Sequence, residues 1–334
     1  MRDGNENILN RLNEISDRLG ENVTHVEDLK RLSGGASQET WAFYACSPNS
    51  RQKLILRRSP FAHAGAGDGS AIGLAKEAEV LGALKNTGIP TPGVLFVADE
   101  DDPLGSSYIM TCIEGETIPK RIMRDERFAP GRDRISAQCG TALAKLHSMP
   151  LNDMPELPRA TAEDQVAQYE GVLRARGIER PVFEMALRWL KDNLPDESQN
   201  NVVVHGDFRM GNLMIDENGL SGILDWELCH IGNPREDIGW LCTNSWRFGQ
   251  RDKRVGGVGH LSELLEAYEA AGGVAITESE IDYWECLGSF KWGIMCTMMY
   301  EAFRSGSDPS IERGSIGRRA SETEIDLMNI LETV

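Results

Sequence analysis

The sequence predicts an α+β chain in which a small, mostly antiparallel sheet with one helix precedes a larger helical region. Apolar, β-branched runs bounded by turn residues predict strands at about residues 26–32, 40–45, 53–57, 94–98 and 107–113. Apolar residues at helical spacing predict a single helix among them, near 72–85. From Glu114 onward helical spacing dominates, near residues 132–149, 162–176, 181–194, 235–246, 261–271, 278–304 and 317–332.

This change of pattern predicts two domains. Residues 1–113 would form an N-terminal lobe, and residues 114–334 a helical C-terminal lobe. The hinge is expected around Thr111 to Thr117. A leading helix within residues 1–24 is expected to pack on the first lobe, because four apolar residues share one of its faces: Ile8, Leu12, Ile15 and Leu19.

Composition narrows the class of partner. A formal net charge of −17 argues against nucleic acid and against an anionic membrane, since both bind basic surfaces. The seven cysteines are scattered without a Cys-x-x-Cys pair and are interpreted as reduced core thiols. No apolar run approaches the roughly 20 residues that a bilayer requires, so a cytoplasmic protein is expected.

The segment from residue 202 to residue 227 carries the chemistry. Its β-branched start predicts a strand that ends at His205, which places Asp207 on a loop. Asn212 follows five residues later, before a second short strand and a turn. Asp225 is expected on the returning strand, so that the hairpin brings it toward Asn212.

These three side chains suit phosphoryl transfer from a magnesium nucleotide. Asp207 would be the base beside an acceptor hydroxyl, and Asn212 and Asp225 would supply the oxygen ligands that Mg²⁺ prefers. Each residue alone could equally cap a loop or a turn. A metallophosphatase would need a spread of histidine ligands, but the chain has only six histidines and no second one near His205.

The spacing of Asp207, Asn212 and Asp225, together with Asn233 and Asp237 downstream, resembles the aminoglycoside-phosphotransferase-like kinases, which have a protein-kinase-like two-lobe fold. The HGDFRMGN and ILDWE segments are most similar to the branch that also occurs fused to acyl-CoA dehydrogenases. The resemblance covers about residues 25–330. It implies that residues 1–113 are a nucleotide-binding lobe and that residues 114–334 carry the catalytic loop and the substrate site. It also implies that ATP, or another nucleoside triphosphate, and Mg²⁺ are the cofactors, and that a small-molecule hydroxyl compound is the substrate.

The third predicted strand resembles the kinase strand that carries the phosphate-binding lysine, but here Arg57 occupies that position. Glu77 lies on the otherwise apolar face that Leu74, Leu81 and Leu84 form on the predicted helix. A buried carboxylate needs a cationic partner, so we predict that Glu77 pairs with Arg57. Both residues are assigned to the nucleotide site, where Arg57 would bind the α- and β-phosphates.

A turn of small residues is expected between the first two strands. The nucleotide-binding candidates there are Ser33, Gly34, Gly35 and Ser37. Small residues let backbone N–H groups approach phosphate oxygens, and the Ser37 hydroxyl would add a donor. The segment lacks the Gly-x-Gly-x-x-Gly pattern of protein kinases, so a plain flexible turn is the alternative interpretation.

The resemblance assigns further roles. The backbone amides of Met110, Thr111 and Cys112 at the hinge would bind the base of the nucleotide. Arg209 would stabilise charge on the γ-phosphoryl group, although an ordinary surface arginine is the alternative. Asp237, near the start of a helix, would support the catalytic loop from beneath.

The predicted function is therefore an ATP-dependent phosphotransferase that acts on a small-molecule hydroxyl group. Two alternatives stay open: a nucleotide-binding pseudokinase that serves as an interaction module, because arginine replaces the lysine, and a hydrolase that uses the same acids. The acceptor is either an aminoglycoside-type antibiotic or a hydroxyacyl metabolite. The sequence does not indicate the oligomeric state.

Overall fold

The structure, a computed structural model, describes residues 2–32, 38–59, 71–99, 101–197 and 201–333. The chain folds into two units. The first unit comprises Met1–Gly115, Pro150–Leu157 and Ser221–Cys229, and the second comprises Glu116–Met149, Pro158–Leu220 and His230–Val334. This division places Asp225 with the sheet-containing unit, whereas the sequence pattern assigned all of residues 114–334 to one lobe.

The first unit contains a five-stranded antiparallel sheet with strand order β1-β2-β3-β5-β4. Its strands and helices confirm the order expected from the sequence. They are α1 (Arg2–Glu14), β1 (His25–Arg31), β2 (Glu39–Ser47), β3 (Ser50–Ser59), α2 (Leu74–Ala83), β4 (Val94–Val97) and β5 (Ser106–Thr111). The β2–β3 register is set by a two-residue turn, Pro48-Asn49, between the paired residues Ser47 and Ser50.

One face of this sheet is covered by α1 and the short turn that follows it. Leu12 and Leu19 are fully buried and belong to the same core cluster as Phe43, Leu54 and Ile109 from the sheet. The expected packing of the leading helix is thus confirmed. Asn13 ties the helix to β1, because its side-chain oxygen accepts a hydrogen bond of 2.8 Å from the Val26 amide.

Helix α2 buries the face that the sequence pattern indicated. Leu74, Leu81 and Leu84 are at most 4% exposed, and Glu77 on the same face is 1% exposed. The helix starts after Gly73, whose φ of +80° is a conformation that favours glycine. The buried carboxylate of Glu77 therefore needs its partners within the protein.

The second unit is mainly helical and also contains strands of two two-stranded sheets, β6-β9 and β7-β8. Strand β8 runs from the second unit into the first. The elements are α3 (Pro119–Arg124), α4 (Ala129–Arg132), α5 (Ile135–His147), α6 (Ala162–Ala175), α7 (Pro181–Asp192), β6 (Val202–Val204), β7 (Leu213–Asp216), β8 (Gly219–Ile223), β9 (His230–Gly232), α8 (Pro234–Cys242), α9 (Leu261–Ala270), α10 (Glu278–Ser305), α11 (Ile311–Gly317) and α12 (Ala320–Leu331). Strand β6 pairs antiparallel with β9.

The core of the second unit lies among α6, α7, α10 and α12. Phe183, Leu190, Phe290 and Leu327 are fully buried there. The long helix α10 begins with a capping box in which Thr277 and Glu280 bond each other's backbone amides. Within the described ranges, the structure contains no helix that is both long and apolar enough to cross a bilayer.

The structure differs from the sequence expectation at several helix ends. Helix α8 ends at Cys242 rather than at residue 246, and a separate 3-10 turn, Asn244–Trp246, follows it. The helix expected over 317–332 is α12, which begins at Ala320. Helix α11, which was not predicted, precedes it and ends at Gly317, where a Cβ atom would lie only 2.5 Å from the Cβ of Tyr300 on α10. Helices α3 and α4, both short, were not predicted, since so few residues carry no periodic signal.

Candidate active site

The loop after β6 is held from beneath by a buried aspartate on α8. Asp237 is 0% exposed and accepts hydrogen bonds from the backbone amides of His205, at 2.8 Å, and Gly206, at 3.0 Å. The supporting position expected for Asp237 is thus confirmed. Gly206 adopts a φ of +79°, which favours glycine, so the turn before Asp207 depends on this residue.

The charge of Asp237 is stabilised in the core. Burial by itself raises the pKa of this carboxyl, but the hydrogen bond from His147, at 3.3 Å, and the His205 amide outweigh that effect. The pKa of Asp237 consequently lies below its usual value. His147 is fixed in turn by a hydrogen bond of 2.9 Å between its Nδ1 and the hydroxyl of Tyr268.

The Asp207 carboxylate is oriented by three donors. Its Oδ1 accepts hydrogen bonds from the Trp240 indole, at 2.6 Å, and from Nε of Arg209, at 3.0 Å. Its Oδ2 accepts one from Nδ2 of Asn212, at 2.6 Å. Each carboxylate oxygen has two acceptor positions, and Asn212 alone among the described residues bonds Oδ2. One acceptor position on Oδ2 therefore stays open. The side chain is 15% exposed, so a reacting hydroxyl can reach it.

Trp240 is the residue at this loop whose role the sequence did not reveal. Its indole lies edge-on to that of Trp246, with ring centroids 5.2 Å apart, and the Arg209 guanidinium carbon lies 4.8 Å from the Trp246 ring centroid. No sequence signal links Trp240 to Asp207, because they lie 33 residues apart on different elements.

Asn212 is held with its amide oxygen available. Its Nδ2 donates to Oδ2 of Asp207 and also to the Asp207 carbonyl, at 3.0 Å. Its backbone amide donates to the Arg209 carbonyl at 2.8 Å and closes the loop. Both side-chain hydrogen bonds of Asn212 use the nitrogen. Its amide oxygen accepts no hydrogen bond from any residue in the described ranges.

In the first unit, the predicted ion pair between Arg57 and Glu77 is present. Nη1 of Arg57 donates to Oε1 of Glu77 at 2.9 Å, and Nη2 donates to Oδ1 of Asp225 at 3.0 Å. Nη2 of Arg57 also donates to the side-chain oxygen of Gln38, a partner that the sequence did not indicate. The Trp226 amide donates to Oε1 of Glu77 at 3.1 Å. One guanidinium thus joins the α2 carboxylate to Asp225.

The titration of Glu77 gives a pH prediction. Burial raises its pKa from 4.5 to about 7, although Arg57 acts in the opposite direction. The folded protein therefore binds this proton more tightly than the unfolded chain, and stability falls as pH rises between these two values. We expect Glu77→Gln to flatten this part of the stability profile, as measured by urea unfolding between pH 5 and pH 8.

This prediction would be wrong if wild type and Glu77→Gln lost stability equally over that range. Glu79→Gln is the matched control, because Glu79 lies two residues away on α2 and pairs with Lys76 at the surface. This control should keep the wild-type slope, since a solvated carboxylate gains little from its partner.

Asp225 lies beyond β8 rather than on it, which corrects the expectation that the returning strand carries this residue. Its φ is +67°, a left-handed conformation that is uncommon for aspartate and that re-aims the side chain after the strand ends at Ile223. The carboxyl is 31% exposed, and Arg57 bonds only its Oδ1. Glu227, two residues further on, accepts a hydrogen bond from Gln38 at 3.0 Å.

The donor chemistry of Asn212 and Asp225 fits Mg²⁺. Each keeps one hard oxygen that accepts no hydrogen bond from the described part of the chain: the amide oxygen of Asn212 and Oδ2 of Asp225. Mg²⁺ takes oxygen ligands of this type, usually one or two from protein and the rest from water and phosphate. Each residue is therefore chemically suited to the role expected from the sequence.

The hinge amides of Thr111 and Cys112, which were expected to bind the base of the nucleotide, are already engaged within the first unit. The Thr111 amide donates to the Gly93 carbonyl at 2.9 Å, and the Cys112 amide donates to the Lys53 carbonyl at 3.3 Å. Met110 lies inside β5, paired with Ile55 and Val94. The amides of Thr111 and Cys112 are therefore not free to bind a base, because sheet-type hydrogen bonds continue past the end of β5.

The other nucleotide candidates from the sequence cannot be placed. Ser33, Gly34, Gly35 and Ser37 lie outside the described residues. The flanking positions are described: Leu32 donates its amide to the Thr40 carbonyl at 2.8 Å, so β1 and β2 remain paired on both sides of the gap.

Comparison with known proteins shows which proteins this chain resembles. The sequence model of the phosphotransferase enzyme family matches residues 28–280. A probable acyl-CoA dehydrogenase of Arabidopsis thaliana is 28% identical, over 91% of this chain and 39% of that protein. The chain spans between 21% and 39% of the length of the first curated relatives it matches.

Solved structures show the fold. A candidate aminoglycoside phosphotransferase of Ralstonia eutropha matches with a TM-score of 0.76 at 19% identity, over 98% of both chains. The aminoglycoside phosphotransferase APH(4)-Ia, in a ternary complex with AMP-PNP and hygromycin B, matches with a TM-score of 0.60 at 13% identity, over 96% of this chain and 99% of that one. These likenesses confirm the expected α+β, kinase-like fold.

Proposed function

Because the chain belongs to the phosphotransferase enzyme family, we propose that it transfers the γ-phosphoryl group of ATP, or of another nucleoside triphosphate, to a hydroxyl group of a small molecule. The observation that carries this proposal is the Asp207 carboxylate, which three donors hold in one orientation with an acceptor position left open on Oδ2. A fixed carboxylate of this kind suits a general base for an attacking hydroxyl.

Asp207 would receive the hydroxyl proton at Oδ2. Trp240 and Arg209 occupy Oδ1, so the open position on Oδ2 is where an incoming hydroxyl finds an acceptor. The bond from Asn212 to the same oxygen fixes the plane of the carboxylate. Asp207 would also orient the hydroxyl before attack, and this orientation contributes to the rate because phosphoryl transfer depends mainly on positioning and charge stabilisation.

Arg209 is proposed to act in two ways. It is 28% exposed and holds Oδ1 of Asp207, which leaves its two terminal NH₂ groups for other partners. A guanidinium there would stabilise charge on the transferring group, as expected from the sequence. The Trp246 ring, whose centroid lies 4.8 Å from the guanidinium carbon, would hold the Arg209 side chain in this position through a cation–π contact.

Asn212 and Asp225 are proposed as the protein ligands of Mg²⁺, each through the oxygen that stays free of hydrogen bonds. When bound, the ion would neutralise charge on the phosphate oxygens. Arg57 would keep the Asp225 carboxylate in place, since it bonds Oδ1 and leaves Oδ2. In this proposal arginine replaces the kinase lysine by orienting a ligand as well as by attracting phosphate.

The nucleotide base is proposed to bind beyond the last sheet bond of the hinge. The Thr111 and Cys112 amides are engaged, so the first amide without an acceptor among the described residues is that of Ile113. Ile113 lies just before Gly115, where the first of the three segments of this unit ends. Its N–H is therefore the hinge donor that we assign to the base.

The function can be tested by a screen for ADP release. Purified protein would be mixed with ATP, Mg²⁺ and a panel of hydroxyl compounds that includes aminoglycosides, macrolides and 3- and 4-hydroxyacyl thioesters. The structural neighbours named above point to the first class, and the acyl-CoA dehydrogenase relatives point to the last. Acceptor-dependent ADP release is the expected result. ATP binding without release would support the pseudokinase alternative, and phosphate release without acceptor would support a hydrolase.

A further inference from the structure

A histidine, a glutamate and a cysteine converge on the edge of the sheet in the first unit. His25, Glu27 and Cys46 each place one potential ligand atom within 4.8 Å of the other two. His25 and Glu27 are alternate residues of β1 and therefore share one face, and Cys46 of β2 is paired directly with His25. Val26, which lies between the two β1 residues, belongs to the core cluster that includes α1. The three side chains thus lie on the opposite face of the sheet.

The ring of His25 is held so that one nitrogen has its lone pair free. Oγ1 of Thr24 donates its only proton to the Cys46 carbonyl, at 3.2 Å, and lies 3.0 Å from Nδ1 of His25. Nδ1 is therefore the donor in this second contact, and Nε2 carries no proton. A metal-binding histidine is usually fixed in this way, through a hydrogen bond from its other ring nitrogen.

The carboxylate of Glu27 is also held with one oxygen toward the cluster. Nε of Arg51 donates to Oε1 at 2.7 Å, whereas Oε2 lies 3.9 Å from Nε2 of His25. Ligand atoms of a tetrahedral zinc ion lie about 3.3–3.8 Å apart, as its bond lengths require. The side chains of His25 and Glu27 are 56% and 43% exposed, so they can make the small movement that closes the site.

The charge beside these ligands is negative. Arg51 pairs with Glu27 and also with Asp28, so that one guanidinium faces two carboxylates. Asp28 reaches the same arginine as its neighbour because its φ of +55° lies where the β1–β2 register shifts. The Arg51 guanidinium stacks on the Tyr44 ring, 3.6 Å from the ring centroid, which holds it beside Oε1 of Glu27. A divalent cation would offset the remaining negative charge.

We propose that His25, Glu27 and Cys46 bind one zinc ion, with water as the fourth ligand. Imidazole, carboxylate and thiolate together suit Zn²⁺, whereas Mg²⁺ prefers oxygen ligands alone. The ion replaces the proton of the Cys46 thiol, because the thiolate is the form that binds metal. It would link the edge strand β1 to β2 and stabilise the first unit. This site does not depend on the proposed phosphotransferase function.

Cobalt is the first probe, because Co²⁺ takes the same ligands as Zn²⁺ and a Co²⁺–thiolate bond has a charge-transfer absorption band. Titration of chelator-treated protein with Co²⁺ should produce this band, with saturation at one ion per chain, and Zn²⁺ should then remove it. Cys46→Ser should abolish the band. Cys112→Ser is the matched control, since Cys112 is a partly buried thiol outside the cluster, and it should keep the band. An ion bound through oxygen ligands alone, as proposed for Asn212 and Asp225, gives no thiolate band.

Zinc affinity, measured by competition with a chelator, tests the other ligands. His25→Gln and Glu27→Gln should each weaken binding by about 10- to 100-fold or more, since loss of a mere supporting hydrogen bond costs about that much. Thr24→Val keeps all three ligands and should weaken binding by about 10- to 100-fold through the freed His25 ring. Glu79→Gln, at the surface of the same unit, should bind zinc as wild type does. These exposed positions keep the test informative if Cys46→Ser fails to fold.

Thermal unfolding gives a further readout that does not involve turnover. Zn²⁺ should raise the Tm of the wild-type protein and of Cys112→Ser but not that of Cys46→Ser, because an ion that binds the folded state stabilises it. Absence of a thiolate band in the wild-type protein would overturn the proposal. So would a band that Cys46→Ser abolishes while His25→Gln and Glu27→Gln keep wild-type zinc affinity, since a lone thiol would then be binding the ion.

Discussion

Replacement of Asp207 by asparagine should lower the rate of phosphoryl transfer by about 10²- to 10⁴-fold, the usual contribution of a general base. The amide that replaces the carboxylate cannot take up the hydroxyl proton, although it can still occupy the same space. Nucleotide affinity should change little, because the bonds of Asp207 run to Trp240, Arg209 and Asn212 within its own unit. ADP release at saturating nucleotide, with an acceptor from the screen, measures the rate, and calorimetry measures the affinity.

Two further variants make this result specific. Asp216→Asn is the matched control: Asp216 accepts a hydrogen bond of 2.6 Å from the Asn218 amide in an exposed turn and should keep wild-type turnover. Trp240→Phe removes one donor from Asp207 and retains the base, so a loss of about 10-fold is expected, from the value of one hydrogen bond to a charged group. Wild-type turnover in Asp207→Asn would exclude this carboxylate as the base.

Replacement of Asp225 by alanine should weaken Mg²⁺-dependent nucleotide binding by about 10- to 100-fold or more, because changes around a metal site cost at least this much. The substitution removes the carboxylate oxygen that is free to bind an ion and leaves Arg57 paired with Glu77. Calorimetric titration of ATP with Mg²⁺, and again with a chelator, measures the effect. The loss should be large with the metal and small without it.

Asp225→Asn provides a graded companion to this variant. It keeps a neutral oxygen that can still bind Mg²⁺ weakly, so its affinity should fall between those of wild type and Asp225→Ala. Glu79→Ala, on the surface of the same unit, should bind as wild type does. Equal loss with and without Mg²⁺ would instead assign Asp225 to the Arg57 ion pair alone.

Much of the first unit was readable from local pattern. Strand and helix positions follow from period-2 and period-3.6 apolar spacing, which each segment carries by itself. The pairing of Arg57 with Glu77 was also predictable, since an acid on an apolar helix face has few ways to be satisfied. The position of Asp237 beneath the loop was expected only from the resemblance to the kinase family, because a place near the start of a helix by itself indicates no more than a charge that complements the helix dipole.

Features that depend on contact between elements separated in the sequence could not be predicted. The amides of Thr111 and Cys112 are engaged because β3 and a segment before β4 continue alongside the chain after β5 ends, and a single strand does not record this. Asp225 leaves its strand through a left-handed residue, which its neighbours in sequence do not require. The close approach of α11 to α10 at Gly317 likewise depends on how two separate elements pack.

The sequence by itself determined the class of chemistry. Two carboxylates and an amide at fixed spacing, with an acid and an arginine on adjacent elements, specify residue types that suit a magnesium nucleotide and a hydroxyl acceptor. Tertiary structure alone decided which atoms are available. It placed the Trp240 indole and Nε of Arg209 on Oδ1 of Asp207, so that one acceptor position on Oδ2 stays open among the described residues. Hydrogen-bond occupancy depends on which neighbours approach through space, and residue spacing along one chain does not fix those neighbours.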